Sequence, residues 1–230
     1  MQAFKAISHG TCACVLTVAL SCSGTLLGVK ENSARAQQRD TEMSPISGPA
    51  SAPRRHFRLR SPADLSPARA NELYQITKAA QQIGYALSGH PVAKAYQGWK
   101  RYNTSPYLSK SHGNHYLNNY ANAKAAAYGK FEDAGTFPVG SVIAKDSYSA
   151  TPTGELIIGP LFIMEKMPKG FEYITADWKF TEILADGTIL GQTNGKGSER
   201  VEYCISCHLS PEEHDLLYFP PKNVRIRPDK

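Results

Sequence analysis

Cys204, Cys207 and His208 carry the most specific chemistry in the chain, because Cys204-Ile205-Ser206-Cys207-His208 reads C-x-x-C-H. Two cysteines at this spacing can reach the two vinyl groups of one haem and form thioether bonds. The histidine that follows is then held close to the iron and can ligate it through a ring nitrogen. The motif therefore predicts one covalently attached haem c, with His208 as the proximal iron ligand.

Two other kinds of site use a C-x-x-C pair. A thioredoxin-like redox pair is expected near an early βαβ pattern, whereas this pair lies close to the C-terminal end. A zinc site needs a second pair of ligands. The other cysteines are Cys12, Cys14 and Cys22, and all three fall in an N-terminal segment with the features of an export signal.

That segment, residues 1–36, begins with a positively charged region at Lys5 and continues with the mostly apolar Cys12–Val29. Ala34-Arg35-Ala36 then provides small residues for cleavage. We expect a signal peptide, an exported protein and a periplasmic location, where covalent haem loading is chemically compatible. A retained membrane anchor and a lipid anchor at Cys22 are the alternatives.

Residues 37–60 are rich in Gln, Ser, Pro and Arg and contain few large apolar side chains, which predicts a disordered tether. Residues 61–230 are long enough for one domain with an adequate core. The formal net charge is +6, and residues 1–60 carry eight basic and three acidic side chains, which leaves +1 for the domain. So neutral a domain is unsuited to binding nucleic acid.

The hydrophobic pattern predicts helices first and strands afterwards, as an α+β domain: an antiparallel β-sheet with packed N-terminal helices and haem near the C-terminus. Ser66-Pro67 is a helix start. Asp186-Gly187 is a hairpin signal. The other expected elements follow. We predict helices after Ser66 with apolar positions Leu73, Ile76, Ala80, Ile83 and Leu87, over Val92–Arg101 and over Asn118–Tyr128, and strands over Val139–Asp146, Leu156–Glu165, Asp177–Leu184 and Thr188–Leu190.

From Tyr96 to Phe219 the sequence resembles the cytochrome P-460 family and its relative cytochrome c′-beta. The resemblance is carried by the stretch Phe137–Asp146, by Met164, by Asp177-Trp178 and by the late C-x-x-C-H. It implies a homodimeric β-sheet haem protein whose iron is five-coordinate. In cytochrome P-460 members a strand lysine is bonded to the porphyrin edge and hydroxylamine is oxidised, whereas c′-beta members lack that bond and bind nitric oxide in an apolar pocket.

The resemblance assigns roles to three further residues. Lys145 matches the cross-linking lysine, and strand alternation places Ser141 and Ile143 on its face. Phe162 falls where hydroxylamine-oxidising members have a carboxylate, so we expect nitric oxide to bind and hydroxylamine to be oxidised slowly. His115 falls near a distal arginine of some relatives, and three roles are open to it: it bonds a distal ligand, it titrates, or it lies at the surface.

Two functions follow from these residues. The first is an exported redox enzyme that handles small nitrogen compounds and passes electrons to a soluble partner such as another c-type cytochrome. The second is a non-catalytic cytochrome that transfers electrons or binds a gas. Met164 and Met167 are candidate sixth ligands, although methionine in a strand more often fills a core.

Overall fold

An antiparallel β-sheet forms the centre of the part of the chain that the computed structural model describes, residues 56–226. Its central strand order is β1-β3-β4-β6-β7-β8, with β2 paired to β3 and β5 paired to β4. The strands are β1 Lys100–Arg101, β2 Tyr107–Ser109, β3 His115–Ala121, β4 Val142–Ala150, β5 Leu156–Ile158, β6 Leu161–Lys166, β7 Trp178–Ile183 and β8 Ile189–Gln192.

Three α-helices and several short 3₁₀ turns accompany the sheet within these residues. The α-helices are α1 Pro67–Ala86, α2 Pro91–Ala95 and α3 Glu202–His208. The 3₁₀ turns are Tyr96–Gly98, Ala123–Asp133, Ser198–Arg200, Glu212–His214 and Lys222–Val224. The predicted combination of an antiparallel sheet with helices is confirmed. None of these helices is both long and apolar enough to cross a membrane.

The start of α1 is confirmed, but of its five predicted apolar positions only Leu73 is buried. The Ser66 side chain accepts a hydrogen bond from the Arg69 backbone amide, with Pro67 in the first turn. Ile76, Ile83 and Leu87 are 63%, 67% and 73% exposed. The helix instead buries a face made of Ala70, Leu73, Tyr74, Thr77, Gln81 and Tyr85.

Polar side chains decide that face, because they satisfy buried groups of the sheet. Tyr74 donates to Asp146 Oδ2 at 2.9 Å, and Gln81 Nε2 donates to the Ser147 carbonyl at 2.9 Å. The Tyr85 hydroxyl donates to the Gly159 carbonyl at 2.7 Å. A hydrophobicity pattern does not register such contacts, although leaving these buried acceptors without partners would be costly.

The predicted helix over Asn118–Tyr128 is also wrong, because residues 118–121 belong to the fully buried strand β3. Asn118 Nδ2 donates to Asp146 Oδ1 at 3.0 Å, and Asn119 Nδ2 donates to the Tyr128 hydroxyl at 2.7 Å. These long-range partners outweigh the local composition. A 3₁₀ segment, Ala123–Asp133, follows β3, so strands and helices alternate here rather than forming two blocks.

Two other predicted runs are interrupted in the structure. The run Val92–Arg101 is helical up to Gly98, as α-helix and then as 3₁₀-helix, and its end, Lys100–Arg101, pairs with β3. The run Leu156–Glu165 is divided at Gly159-Pro160 into β5 and β6, which pair with successive parts of β4. The Asp186-Gly187 hairpin is confirmed between β7 and β8, with Gly187 at φ +84°.

The sheet separates two hydrophobic clusters. On one face α1 and α2 pack over residues such as Ala144, Tyr148 and Ile163. The opposite face carries Ile143, Met164 and Phe180, together with aromatic residues from the loops. The chain after β8 returns across this second face, where it brings α3 beside the sheet.

The predicted signal peptide, 1–36, and residues 37–55 of the predicted tether lie outside the described residues. Residues 56–60, the end of that tether, pack against the domain. The Leu59 amide donates to the Gly113 carbonyl at 3.0 Å, and Asn114 Nδ2 donates to the Leu59 carbonyl at 2.7 Å. The packed domain therefore begins before residue 61.

Candidate haem site

A cavity of about 440 Å³ lies between α3 and the second face of the sheet. Its volume falls within the range of roughly 300–1,000 Å³ that is usual for ligand and cofactor sites. The three residues of the C-x-x-C-H motif line it together. The other lining residues are His56, Ser111, His112, Ile143, Lys145, Phe162, Ile163, Met164, Phe180, Thr181, Ser206, Ser210 and Tyr218.

Helix α3 is the element that brings the motif to this cavity. Cys204 and Cys207 are one helical turn apart, so both side chains lie on one side of the helix. Both are free thiols; Cys204 is half-buried and Cys207 is exposed. Both thiols line the same cavity, and Cys207 is also accessible to solvent. This arrangement is suited to covalent attachment of a flat group that lies between the helix and the sheet.

A hydrogen bond at one ring nitrogen of His208 leaves the other ring nitrogen free to bind a metal. Its Nδ1 lies 2.7 Å from the Leu216 carbonyl, and because a carbonyl can only accept, Nδ1 carries the proton. That tautomer leaves Nε2 with its lone pair available, which is the arrangement usual for metal-bound histidine. Burial, with a smaller effect from Lys145, lowers the pKa of His208 to about 3, so the ring is neutral at pH 7.

A buried ion pair fixes the loop that supplies the Leu216 carbonyl. Asp215 and Leu216 both have left-handed backbone angles, with φ of +51° and +63°. Asp215 Oδ1 accepts from Lys166 Nζ at 2.6 Å, and Asp215 Oδ2 accepts from the Phe137 amide at 2.9 Å. Asp215 thereby ties the turn beneath His208 to β6 and to the Phe137 segment.

Replacing Lys166 by methionine is expected to destabilise the domain by about 3–5 kcal/mol, because the Asp215 carboxylate would stay buried without its counter-ion. Urea unfolding of the purified holoprotein measures this change. Arg69→Met is the matched control, since its ion pair with Glu72 is more than half exposed and is worth at most about 1 kcal/mol. Equal losses in the two variants would contradict an anchoring role for Asp215.

Lys145, the predicted cross-linking residue, lies at the haem cavity. It is 5% exposed, lines the cavity and pairs across the sheet with Phe162, which pairs in turn with Glu182. Burial lowers the pKa of Lys145 to about 8. The neutral, nucleophilic amine therefore makes up about a tenth of the population at pH 7, against well under a thousandth for an exposed lysine.

Phe162 also lines the cavity, as predicted, whereas its neighbours on β6 differ in whether their side chains reach the cavity. Met164 lines the cavity too. Glu165 instead forms an ion pair with Lys179 at 2.9 Å and lies 3.6 Å from His90, away from the cavity. Trp178 is fully buried in the cluster behind it, and the Phe180 ring contacts that of His208 at 5.2 Å between centroids.

The prediction that His115 bonds a distal ligand or lies at the surface is wrong, since this residue is neither exposed nor among the side chains that line the haem cavity. Its Nε2 donates to the Phe57 carbonyl at 3.2 Å, and its Nδ1 accepts from Ser149 Oγ at 2.6 Å. Ser149 is four residues beyond Lys145 on β4, roughly 13 Å along the strand. Burial lowers the pKa of His115 to about 4, so it is a neutral structural residue.

Sequence reasoning missed His112 and His56, which line the cavity in addition to His208. Their rings are stacked at 5.1 Å, and that of His112 lies 5.0 Å from the Phe162 ring. Gly113 and Asn114 have φ of +73° and +61°, so the chain reverses between His112 and His115. Gly-Asn is a turn signal, and it could have indicated that the two histidines point to different places.

The donor set favours haem over a metal ion held by side chains alone. Within residues 56–226, no group of three or more His, Cys, Asp and Glu side chains could hold a metal ion. A porphyrin supplies four nitrogens itself and requires only one strong protein ligand, which the free Nε2 of His208 provides. The residues present therefore fit a c-type haem.

A comparison with protein-family models decides the relationship, because the cytochrome P460 model matches residues 93–219. The chain belongs to the cytochrome P460 family. Membership confirms the predicted family and implies a c-type haem protein with an iron-containing haem. The match includes every strand and α3, whereas residues 56–92 precede it. No curated protein matches the chain closely enough to count as a relative.

Proposed function

We propose that this chain is an exported mono-haem cytochrome of the cytochrome P460 type that binds and redox-processes small nitrogen compounds such as nitric oxide and hydroxylamine. Cys204 and Cys207 hold the haem covalently, and His208 is the proximal ligand. One observation carries this proposal: all three residues line a single cavity, and His208 Nδ1 is already bonded to Leu216, which leaves Nε2 for iron. When bound, the haem supplies a redox-active iron with a free coordination position.

The protein contributes a fixed ligand on one side and a shaped pocket on the other. The Leu216 carbonyl orients the His208 ring. The preceding residue, Asp215, holds this turn in place through its ion pair with Lys166. Ile143, Met164 and Phe162 give this part of the pocket an apolar lining. Small uncharged ligands suit such a space, because they lose little hydration on entering it.

Lys145 is the residue that would distinguish the two branches of the family. Its buried amine lines the same cavity as the motif. We propose that it is bonded to the porphyrin edge, as in the hydroxylamine-oxidising members. Forming that bond would break one N–H bond of the amine and one C–H bond of the porphyrin edge, and an external oxidant such as peroxide would take up the two electrons and two protons released. The lowered pKa of Lys145 supports this role, since only the neutral amine has a lone pair with which to form the bond.

The alternative is a non-catalytic cytochrome that binds a gas or transfers electrons, and Phe162 is the observation that favours it. An aromatic edge admits a neutral diatomic ligand but accepts no proton from hydroxylamine. For the catalytic form we propose a soluble electron acceptor, such as another c-type cytochrome. A homodimer and a periplasmic location complete the proposal, the latter from the sequence of residues 1–36.

Two assays on the purified holoprotein test this function. Nitric oxide added to the ferrous protein is expected to change its optical spectrum, and hydroxylamine with an artificial electron acceptor is expected to give steady-state oxidation. Nitric oxide binding without oxidation would select the gas-binding alternative. A protein that binds neither compound would contradict both forms of the proposal.

A further inference from the structure

Residues 56–63, here called the strap, precede the family-matched region, and their first residue lines the haem cavity. Hydrogen bonds of its backbone hold the strap in place. The Leu59 amide donates to the Gly113 carbonyl, the Ala63 amide donates to the Ala150 carbonyl at 2.7 Å, and the Phe57 carbonyl accepts from His115 Nε2. Gly113 is required for this docking, because a Cβ there would lie 1.8 Å from the Phe57 carbonyl oxygen.

Neighbouring strap residues serve different cavities. His56 lines the haem cavity, whereas Phe57 and Leu59 line a second cavity of about 280 Å³ that also contains His115. The His56 side chain is 11% exposed. Its ring contacts those of Phe162 and Tyr203 edge-on, with centroids 4.8 and 4.6 Å away. The strap therefore places an imidazole beside the apolar residue of the pocket.

A buried carboxylate lies behind His56. Glu182 is fully buried on β7, directly opposite Phe162 in the sheet register, and its Oε2 is 3.5 Å from His56 Nδ1. The Tyr203 hydroxyl donates to the same oxygen. Burial, and then Glu182, raise the pKa of Tyr203, so this phenol stays a donor. Among the described residues, His56 Nδ1 and Glu182 Oε1 have no hydrogen-bond partner.

We propose that His56 is a proton acceptor of the haem cavity, and that Glu182 and Tyr203 are the positioning residues that orient it. A carboxylate beside Nδ1 favours the tautomer with the proton on Nδ1, which leaves Nε2 basic. In the step, one proton moves from the incoming ligand to His56 Nε2, from a nitrogen or oxygen of hydroxylamine or from the carbon of hydrogen cyanide, and no electron is transferred. The inference rests on the proposed function, and it supplies the base that Phe162 does not.

Cyanide and nitric oxide separate this role from simple access to the cavity. Hydrogen cyanide must lose a proton to bind ferric haem as the anion, whereas nitric oxide has none to lose. His56→Ala is expected to slow cyanide association by about 10²-fold or more, the usual contribution of a positioned base, and to leave nitric oxide association unchanged. Stopped-flow mixing with the purified holoprotein measures both rates.

Variants of a positioning residue and of the strap test the role of His56 independently of its own replacement. Glu182→Gln should slow cyanide association in the same direction, and it should shift the N–O stretching frequency of the nitric oxide complex. Gly113→Ala, which displaces the strap without changing His56, should resemble His56→Ala. Arg58→Ala is the matched control, because Arg58 is an exposed strap residue outside the haem cavity, and both rates should stay at the wild-type values.

The outcomes distinguish this inference from the proposed function. A holoprotein that takes up nitric oxide but whose cyanide rate is indifferent to His56 and Glu182 would overturn the inference alone. Slowing by His112→Ala with no effect of His56→Ala would overturn it too, and would assign the base to His112. Absence of haem from the wild-type protein would overturn the proposed function itself.

Discussion

Replacing both Cys204 and Cys207 by serine is expected to abolish covalent haem attachment completely, because serine hydroxyls do not form the thioethers. Any haem in this variant should be removed by acid-acetone extraction, whereas the wild-type haem should remain on the polypeptide. Each single replacement should leave one thioether, so its haem should still resist extraction. The readout is haem absorbance in the protein pellet and in the organic phase.

His208→Ala separates attachment from ligation. Both thioethers can still form, but the ring that Leu216 orients is gone, so the optical spectrum should change while haem stays bound. His214→Gln is the matched control: its ring is near Phe219 and lines a different cavity. An unchanged spectrum in His208→Ala would mean that another residue is the proximal ligand.

Lys145→Ala is expected to return the optical spectrum to that of an ordinary high-spin c-type haem. In the wild-type ferrous protein we expect a red-shifted and broadened Soret band, because a bond at the porphyrin edge perturbs the macrocycle. The buried Lys145 amine has a pKa near 8, so bond formation during haem loading should increase as the pH rises through that value and should fail in acid.

Peptide mapping tests the bond directly. Trypsin does not cleave after a modified lysine, so the cross-linked protein should give residues 131–166 as one peptide, joined through haem to the peptide that contains Cys204 and Cys207. Lys179→Ala is the matched control, since Lys179 pairs with Glu165 away from the cavity and its loss should leave the spectrum unchanged. Full recovery of unmodified 131–145 would exclude the bond.

Local signals in the sequence predicted local features well. Ser66-Pro67 marked the start of α1, and Asp186-Gly187 marked the β7–β8 hairpin. The C-x-x-C-H spacing identified three residues that do share a cavity. Each of these patterns is short, and each acts through neighbours within a few positions, so the rest of the fold did not have to be known.

Predictions failed where partners far apart in sequence determine the structure. Asn118 and Asn119 are strand residues because Asp146 and Tyr128 bond their side chains, although their local composition favours a helix or turn. The buried face of α1 depends on acceptors in the sheet in the same way. The chain reversal at Gly113 and Asn114 separates His112, which lines the haem cavity, from His115, which does not.

The part of the cavity around Phe162 shows the same limit of prediction from sequence, because its residues come from distant parts of the chain. The resemblance to the cytochrome P-460 family places Phe162 at the distal side of the cavity, and Phe162 alone predicts no proton acceptor. His56 and Glu182 reach the same place from the strap and from β7, so neither motif nor periodicity links them. The expectation of slow hydroxylamine oxidation therefore depends on His56 as well as on Phe162, and hydroxylamine turnover by the His56→Ala variant should be slower than that of the wild type.

The most direct test of covalent haem attachment is the intact mass of the purified protein after acid-acetone extraction. We expect one species, equal in mass to the polypeptide plus a single haem, with iron as the bound metal. Haem that partitions wholly into the organic phase, or a purified protein that contains zinc and no iron, would contradict this expectation.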